Sequence, residues 1–95
     1  MILHIVSRSP FSHDALQRCL ACACAEDAIL LIEDGVYALS AADRFLAVSP
    51  VSAIYALNVD CQARGLSAPA NPVQEVDYGG FVDLSARFDK TVSWF

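Results

Sequence analysis

The chain has 95 residues and a formal net charge of -5, from 6 Lys and Arg against 11 Asp and Glu. Hydrophobic residues make up 56% and charged residues 18% of it, which excludes a disordered chain and predicts one domain over residues 1–95. The acidic balance predicts no direct contact with nucleic acid, because that affinity comes mainly from clustered cations.

The compartment follows from what the sequence lacks. No apolar run approaches the roughly 20 residues that a membrane-spanning helix needs, and Met1–His4 has no basic n-region of a signal peptide. We therefore expect a cytoplasmic protein that has no membrane contact and keeps its 4 cysteines as thiols. The mean hydropathy of +0.44 is high for a small domain and predicts apolar surface covered by another subunit.

Short apolar runs alternate with amphipathic segments along the chain. The predicted strands are Ile2–Val6, Ala28–Ile32, Ala53–Leu57, Val73–Val76 and Thr91–Phe95, the last being a short strand or an extended tail. The unbroken run Ala28–Ile32 indicates a strand covered on both faces. The alternation predicts an α/β fold: a single three-layer domain with a mainly parallel sheet of about four to five strands and helices on both faces.

The predicted helices are marked by caps and stops. Ser9 as N-cap and Pro10 at the first helical position predict a helix that begins within two residues of Pro10 and ends near Cys24. The other predicted elements are Val36–Ala42 capped by Asp34, Asn58–Arg64 closed by Gly65, a loop over Ser67–Pro72, and Tyr78–Phe88 capped by Asp77.

The residues alone point to no specific chemistry. Cys19 and Cys22 form a C-x-x-C pattern, but they lie far into the predicted helix, where the dipole no longer lowers a thiol pKa. With Cys24, these thiols point in different directions, so we predict no metal site. Packing is the simplest role for them, and Cys19 flanks the apolar face of the helix. No Gly-rich phosphate loop is present, and we predict no cofactor.

Two further candidates have plain structural explanations. We interpret His4 in the first strand as a satisfied core or edge histidine rather than a base. Glu33 and Asp34 could form an acid/base pair, but Asp34 before Gly35 is typical of a cap or turn. Composition and spacing thus indicate an α/β subunit that oligomerises, and no more.

A family resemblance goes further, and it extends over essentially the whole chain. It is carried by Leu3-His4, Ser9-Pro10-Phe11, the run Leu30–Ala38, Tyr55-Ala56-Leu57 with Asp60, Ala63–Leu66, Asp77-Tyr78, Phe81–Leu84 and Trp94. In their order and spacing these segments resemble the TusB/DsrH family of sulfur-relay proteins. The resemblance implies the DsrE/F/H-like version of the predicted fold.

The resemblance also implies partners and a cargo. In that family, three homologous subunits form a heterohexamer with two copies of each, so it implies TusC/DsrF-like and TusD/DsrE-like sister subunits. Sulfur travels as a cysteine persulfide, whose principal carrier is the TusD/DsrE-type subunit. The TusB branch passes sulfur toward 2-thiolation of the tRNA wobble uridine, whereas the DsrH branch serves sulfur oxidation.

One cysteine acquires a candidate role from the resemblance. Cys19-Leu20 stands where DsrH-type proteins carry a cysteine in the first helix, so Cys19 is the candidate catalytic residue, as a persulfide acceptor. We expect its sulfur to be partly exposed at the helix edge and to be activated inside the complex. The alternatives are a purely structural subunit and a homo-oligomeric small-molecule-binding module. Expressed alone, the chain is expected to form homodimers through its apolar patch.

Overall fold

The computed structural model describes residues 1–47, 49–51, 53–67 and 73–95 of the chain. Its strands are β1 (Ile2–Val6), β2 (Ala28–Leu31), β3 (Ala53–Leu57), β4 (Val73–Val76) and β5 (Lys90–Trp94). Its helices are α1 (Ala15–Cys22), a 3-10 helix (Glu33–Ala41), α2 (Ala42–Phe45), α3 (Asn58–Ala63) and α4 (Tyr78–Arg87).

The five strands form one parallel sheet in the order β4-β3-β2-β1-β5. The chain steps from β1 to β4 through neighbouring strands and then returns across the whole sheet to β5. Right-handed connections therefore place the helices before β4 on one face of the sheet and α4 on the other. This arrangement confirms the predicted α/β fold with a parallel sheet.

The strands β1 to β4 each divide their apolar side chains between two cores. We call the side that packs under α1 the α1 face and the opposite side the α4 face. In β2, Ile29 and Leu31 belong to the α1 core, whereas Ala28 and Leu30 belong to the α4 core. All four side chains are buried, which confirms that the unbroken apolar run is a strand covered on both faces.

The first helix begins later than the sequence predicts. The Ser9 carbonyl oxygen accepts hydrogen bonds from the Ser12 and His13 N–H groups at 3.3 and 3.0 Å, and α1 begins only at Ala15. Ser9 and Pro10 thus open a single turn that is not continued as a helix, so the predicted start near Pro10 is wrong. Asp14 takes the N-cap position instead, although its side chain makes no capping hydrogen bond.

The segment after β2 also differs from the prediction. It is a 3-10 helix that begins at Glu33, not a helix capped by Asp34, and it has no side-chain cap. The reason lies in the tertiary structure: Asp34 Oδ1 pairs with the guanidinium of Arg64 at 2.9 Å. Gly35 lies so close to β1 that an added Cβ would come within 2.2 Å of the Val6 carbonyl oxygen.

The remaining boundaries follow the sequence closely. Gly65 has φ +67° directly after α3, and the Asp77 carboxylate caps α4 by accepting from the Gly80 N–H at 2.7 Å. Most of the predicted loop Ser67–Pro72 lies outside the described residues. Among the described helices, none has the length and apolar character required to span a bilayer.

Candidate functional site

Cys19 lies in the core of the α1 face. The helix packs over β1 and β5, and the Cys19 side chain is 0% exposed within the same core as Leu16. Burial raises the pKa of the Cys19 thiol from 9.0 to about 12, with smaller contributions from Cys22 and Asp27. The expectation of a partly exposed sulfur at the helix edge is therefore wrong, and the thiol is neutral at pH 7.

Three side chains form a chain of hydrogen bonds beneath α1. His4 Nε2 lies 2.9 Å from Asp27 Oδ2, and the Trp94 indole Nε1 donates to His4 Nδ1 at 3.0 Å. An indole N–H is only a donor, so His4 Nδ1 must accept and carries no proton. His4 is therefore the neutral tautomer that donates from Nε2 to Asp27.

Asp27 ties three segments of the chain together. Its carboxylate accepts from the Cys24 N–H at 3.0 Å, from His4, and from the Ile2 N–H at 2.9 Å. These hydrogen bonds, led by that from Cys24, hold the pKa of the carboxyl at about 2, below its ordinary value of 3.8. A buried carboxylate is stable here because its lone pairs are satisfied by donors from β1 and from the loop after α1.

His4 does not act as a base toward Cys19 in this arrangement. A general base needs a free ring nitrogen within hydrogen-bond reach of the thiol, but both nitrogens of His4 are occupied by Asp27 and Trp94. The interpretation of His4 as a satisfied core histidine is confirmed. The three-residue chain fixes β5 and the loop before β2 against β1.

The backbone of Phe95, the last residue of the chain, is hydrogen-bonded to α1. Arg18 donates from Nη2 to the Phe95 backbone oxygen, and its Nε pairs with Asp14 at 3.0 Å. The same guanidinium lies 5.9 Å from the ring centroid of Trp94. These contacts hold the C-terminal strand beneath the helix that carries Cys19.

The other cysteines divide into one buried and two accessible thiols. Cys61 on α3 is buried, and its burial raises the pKa of the thiol to about 11. Cys22 and Cys24 are exposed. The thiols that solvent reaches are therefore the two to which the family resemblance assigns no role.

The acidic residues after β2 do not form an acid/base pair. The Glu33 N–H donates to the Asp60 carboxylate at 2.7 Å, and this contact holds Glu33 at φ +49°. Arg64 pairs with Asp34 at 2.9 Å and with Asp60 at 3.7 Å. Asp34 thus forms an ion pair with a guanidinium at the end of α3, and its role is structural.

A shallow cavity of about 360 Å³ lies between α1 and α2. Its lining consists of Pro10, His13, Leu16, Gln17, Leu20, Arg44 and Phe45. Within the described ranges, no three His, Cys, Asp or Glu side chains lie together in a way that could hold a metal ion.

Comparison with known proteins identifies the family. The sequence matches the family described as "DsrH like protein" over residues 8–91. The chain belongs to the DsrH-like family. It is 36% identical over 99 residues to Protein TusB of Escherichia coli O139:H28, an alignment that spans 98% of this chain and 100% of that protein. Protein TusB of Shigella boydii serotype 18 matches to the same extent.

Two solved structures share the fold of this DsrH-like protein. The solution NMR structure of protein Tm0979 from Thermotoga maritima has a TM-score of 0.70 and 30% identity, covering 90% of this chain and 92% of that one. The crystal structure of ychN protein from E. coli has a TM-score of 0.77, with 97% of each chain covered, and its 16% identity bears on the fold alone. The family resemblance and the fold are confirmed.

Sequence reasoning missed Asp27, the acceptor at one end of the buried polar chain in this DsrH-like protein. Asp27 received no role, and Trp94 entered only as part of the family pattern. A signal was present: a histidine inside one strand and an aspartate directly before the next could meet if the strands paired in parallel. That pairing, Leu3 beside Ala28, is a property of the sheet and is not visible in either segment alone.

Proposed function

We propose that this DsrH-like chain is a subunit of a cytoplasmic sulfur-relay complex that passes persulfide sulfur toward 2-thiolation of the tRNA wobble uridine. The observation that carries the proposal is the 36% identity to Protein TusB over 98% of this chain and the whole of that protein. The partners in the proposal are TusC/DsrF-like and TusD/DsrE-like sister subunits, two copies of each subunit forming a heterohexamer.

The relay step needs only thiols and docking. An acceptor thiolate attacks the outer sulfur of a donor persulfide, the donor S–S bond breaks, and the donor leaves as a thiolate while the acceptor gains the sulfur. Cys19 remains the candidate acceptor within this proposal. Because its side chain is 0% exposed, transfer to it requires that α1 moves away from the sheet when the partner docks.

The same burial favours a second candidate, a structural subunit without a persulfide of its own. A thiol with a pKa of about 12 has almost no thiolate at neutral pH, and the thiolate is the nucleophile. In that case the sister subunit carries the sulfur and this chain completes the assembly. The DsrH-like alternative, a role in sulfur oxidation, is supported by the position of Cys19.

The test is reconstitution with the two sister subunits from the same source. Native mass spectrometry of the co-expressed proteins should give one complex that contains this chain. Loss of the chain should lower 2-thiouridine in tRNA, and a complex that forms but leaves 2-thiouridine unchanged would contradict the tRNA role.

Matched cysteine variants then separate carrier from structural subunit. Cys19→Ala is compared with Cys61→Ala, which empties an equivalent buried position. If Cys19 carries sulfur, only Cys19→Ala abolishes the mass increase of one sulfur atom on this chain and slows the relay. If both variants relay sulfur at the wild-type rate, the chain is a structural subunit.

A further inference from the structure

The cavity between α1 and α2 combines polar and apolar lining residues without a carboxylate. Three polar side chains, His13, Gln17 and Arg44, line it. No Asp or Glu is among the described residues that line it, although the chain carries 11 Asp and Glu against 6 Lys and Arg. An acidic chain that places a cation and no carboxylate at a cavity creates a local positive potential there, which favours a negatively charged ligand.

Arg44 presents its guanidinium to the cavity without a carboxylate partner. Its Cζ lies 4.9 Å from the ring centroid of Phe45, and it makes no ion pair or side-chain hydrogen bond with any residue that the structure describes. Arg18 and Arg64, by contrast, pair with carboxylates. A guanidinium held over a ring keeps N–H groups available at its edge, and their fork matches two oxygens of a carboxylate or phosphate.

Two further side chains at the cavity can donate hydrogen bonds. His13 Nδ1 lies 2.8 Å from Ser12 Oγ, and its Nε2 has no partner among the described residues. When the Ser12 hydroxyl donates to Nδ1, Nε2 carries the proton and is a donor. The Gln17 amide forms no hydrogen bond within the described part of the chain, and it offers two N–H donors. A negatively charged group can therefore accept from three side chains.

The rest of the cavity is mainly apolar. Leu16, Leu20 and Phe45 line it, and the Phe45 ring is in edge-to-face contact with that of Phe11, with centroids 5.1 Å apart. The Phe11 N–H donates to Ser9 Oγ at 3.2 Å, so the turn that replaces the predicted helix start supports this wall. The volume of about 360 Å³ is that of a site for a small organic ligand.

We propose that this cavity binds a small organic anion in which a carboxylate or phosphate is carried on an aromatic group. The oxyanion accepts from Arg44, Gln17 and His13, while the aromatic group packs against Leu20 and the Phe45 ring. An inorganic ion would leave the apolar wall without a contact, and a cation would be repelled by Arg44. Binding involves no covalent step, so the inference does not depend on the proposed relay of sulfur.

NMR titration of the ¹⁵N-labelled full chain with benzoate and with phenyl phosphate tests the proposal. The backbone amide signals of Gln17, Leu20 and Arg44 should shift, with dissociation constants in roughly the millimolar range for probes of this size. The tighter of the two probes identifies carboxylate or phosphate as the preferred group. Benzylamine, which carries the opposite charge on the same ring, should shift none of these signals. Inorganic phosphate should bind about tenfold more weakly than phenyl phosphate, because it buries no apolar surface.

Variants locate the binding at the polar side chains. Arg44→Gln should raise the dissociation constant about tenfold, because charge-assisted hydrogen bonds are lost. Gln17→Leu should raise it about threefold, through the loss of neutral hydrogen bonds. Arg87→Gln is the matched control on α4, where Arg87 and Asp83 also make no ion pair with any described residue, and it should leave binding unchanged. Circular dichroism melting verifies that each variant is folded.

The proposal is overturned if neither oxyanion shifts the three signals, or if benzylamine shifts them as strongly. It is also overturned if Arg44→Gln weakens binding no more than Arg87→Gln does, or if inorganic phosphate binds as tightly as phenyl phosphate. Binding that disappears when the sister subunits assemble with the chain would assign the cavity to a subunit contact instead. Loss of tRNA thiolation in a chain that still binds the probes would contradict the proposed function alone.

Discussion

The two faces of the sheet differ in how completely they are closed. On the α1 face, α1, the 3-10 helix, α2 and α3 cover the strands, and Cys19, Cys61, His4 and Asp27 are all buried there. On the α4 face, one described helix crosses the sheet and leaves exposed Tyr78, Val82 and an open groove beside the helix, lined by Tyr55 and Gln74 among others. The thiol with a candidate chemical role is thus buried inside the protein, and no cysteine is among the described residues of α4 or β4.

This contrast indicates that the α4 face is available for association as it stands, whereas the α1 face must open before Cys19 can react. The α1 face has its polar groups satisfied internally, since no buried side-chain nitrogen or oxygen among the described residues lacks a hydrogen-bond partner. Because its buried polar groups are already hydrogen-bonded, the α1 face can form few new hydrogen bonds with a partner unless it opens. The α4 face has apolar area and two unpaired charges to offer, which are the features that association uses.

Thiol labelling should show the largest difference between accessible and sealed positions. Cys22 and Cys24 should react with a thiol reagent at pH 8 at ordinary rates, because both are exposed. Cys19, with its pKa raised from 9.0 to about 12, should react roughly a thousandfold more slowly, since three pKa units leave that much less thiolate. Mass spectrometry of digested, time-quenched samples measures each rate. Equal rates for Cys19 and Cys22 would mean that α1 opens readily in the isolated chain.

Removal of the Asp27 carboxylate should destabilise the packing of the α1 face. Asp27→Ala leaves the Ile2 and Cys24 N–H groups and His4 Nε2 without their acceptor. We expect the free energy of unfolding to fall by about 3 kcal/mol, because buried donors lose hydrogen bonds to a charged group. Urea denaturation followed by Trp94 fluorescence measures the change. Asp83→Ala on the α4 face is the control, and a loss there as large as that of Asp27→Ala would contradict the contrast.

Acid should weaken the α1 face through the same carboxylate. The pKa of Asp27 is about 2 in the folded chain, below its ordinary value of 3.8, so the unfolded state binds the proton first as the pH falls. The stabilisation is fully present above pH 4 and is lost as the pH falls toward 2, an effect of about 2 kcal/mol in total. The free energy of unfolding, measured by urea denaturation at several pH values between 5 and 2, should fall more steeply with decreasing pH for wild type than for Asp27→Asn. An equal pH dependence of the free energy of unfolding in the two proteins would show that the Asp27 carboxylate does not contribute this stabilisation.

Truncation of one valine on each face should show the smallest change in stability, at the valine of the open α4 face. Val36→Ala on the α1 face removes a side chain that is 0% exposed and should cost about 2 kcal/mol in the free energy of unfolding. Val82→Ala on α4 should change that free energy by less than about 0.5 kcal/mol when measured on dilute monomer. A loss of monomer stability at Val82 equal to that at Val36 would mean that the α4 face is already packed.

Local sequence signals predicted much of the fold because each depends on neighbouring residues. Gly65 ends α3 because its φ of +67° costs glycine little, and Asp77 caps α4 because its carboxylate reaches an N–H three residues on. The start signal at Ser9-Pro10 had the same character but was outweighed, since the turn closed by the Ser9 carbonyl does not continue into α1. Asp34 failed as a cap because Arg64, distant in sequence, holds its carboxylate.

Periodicity, caps and the order of motifs are properties of neighbouring residues, and they are enough to predict the parallel α/β fold, the strands and the family. The state of Cys19 and the partners of His4 depend on contacts between distant segments. A position at the flank of one helix does not reveal whether β5 lies beneath it, and the return of the chain from β4 to β5 is what closes that side. The same return connection leaves one described helix on the opposite face, so a single topological step both buries the thiol and leaves part of the α4 face uncovered.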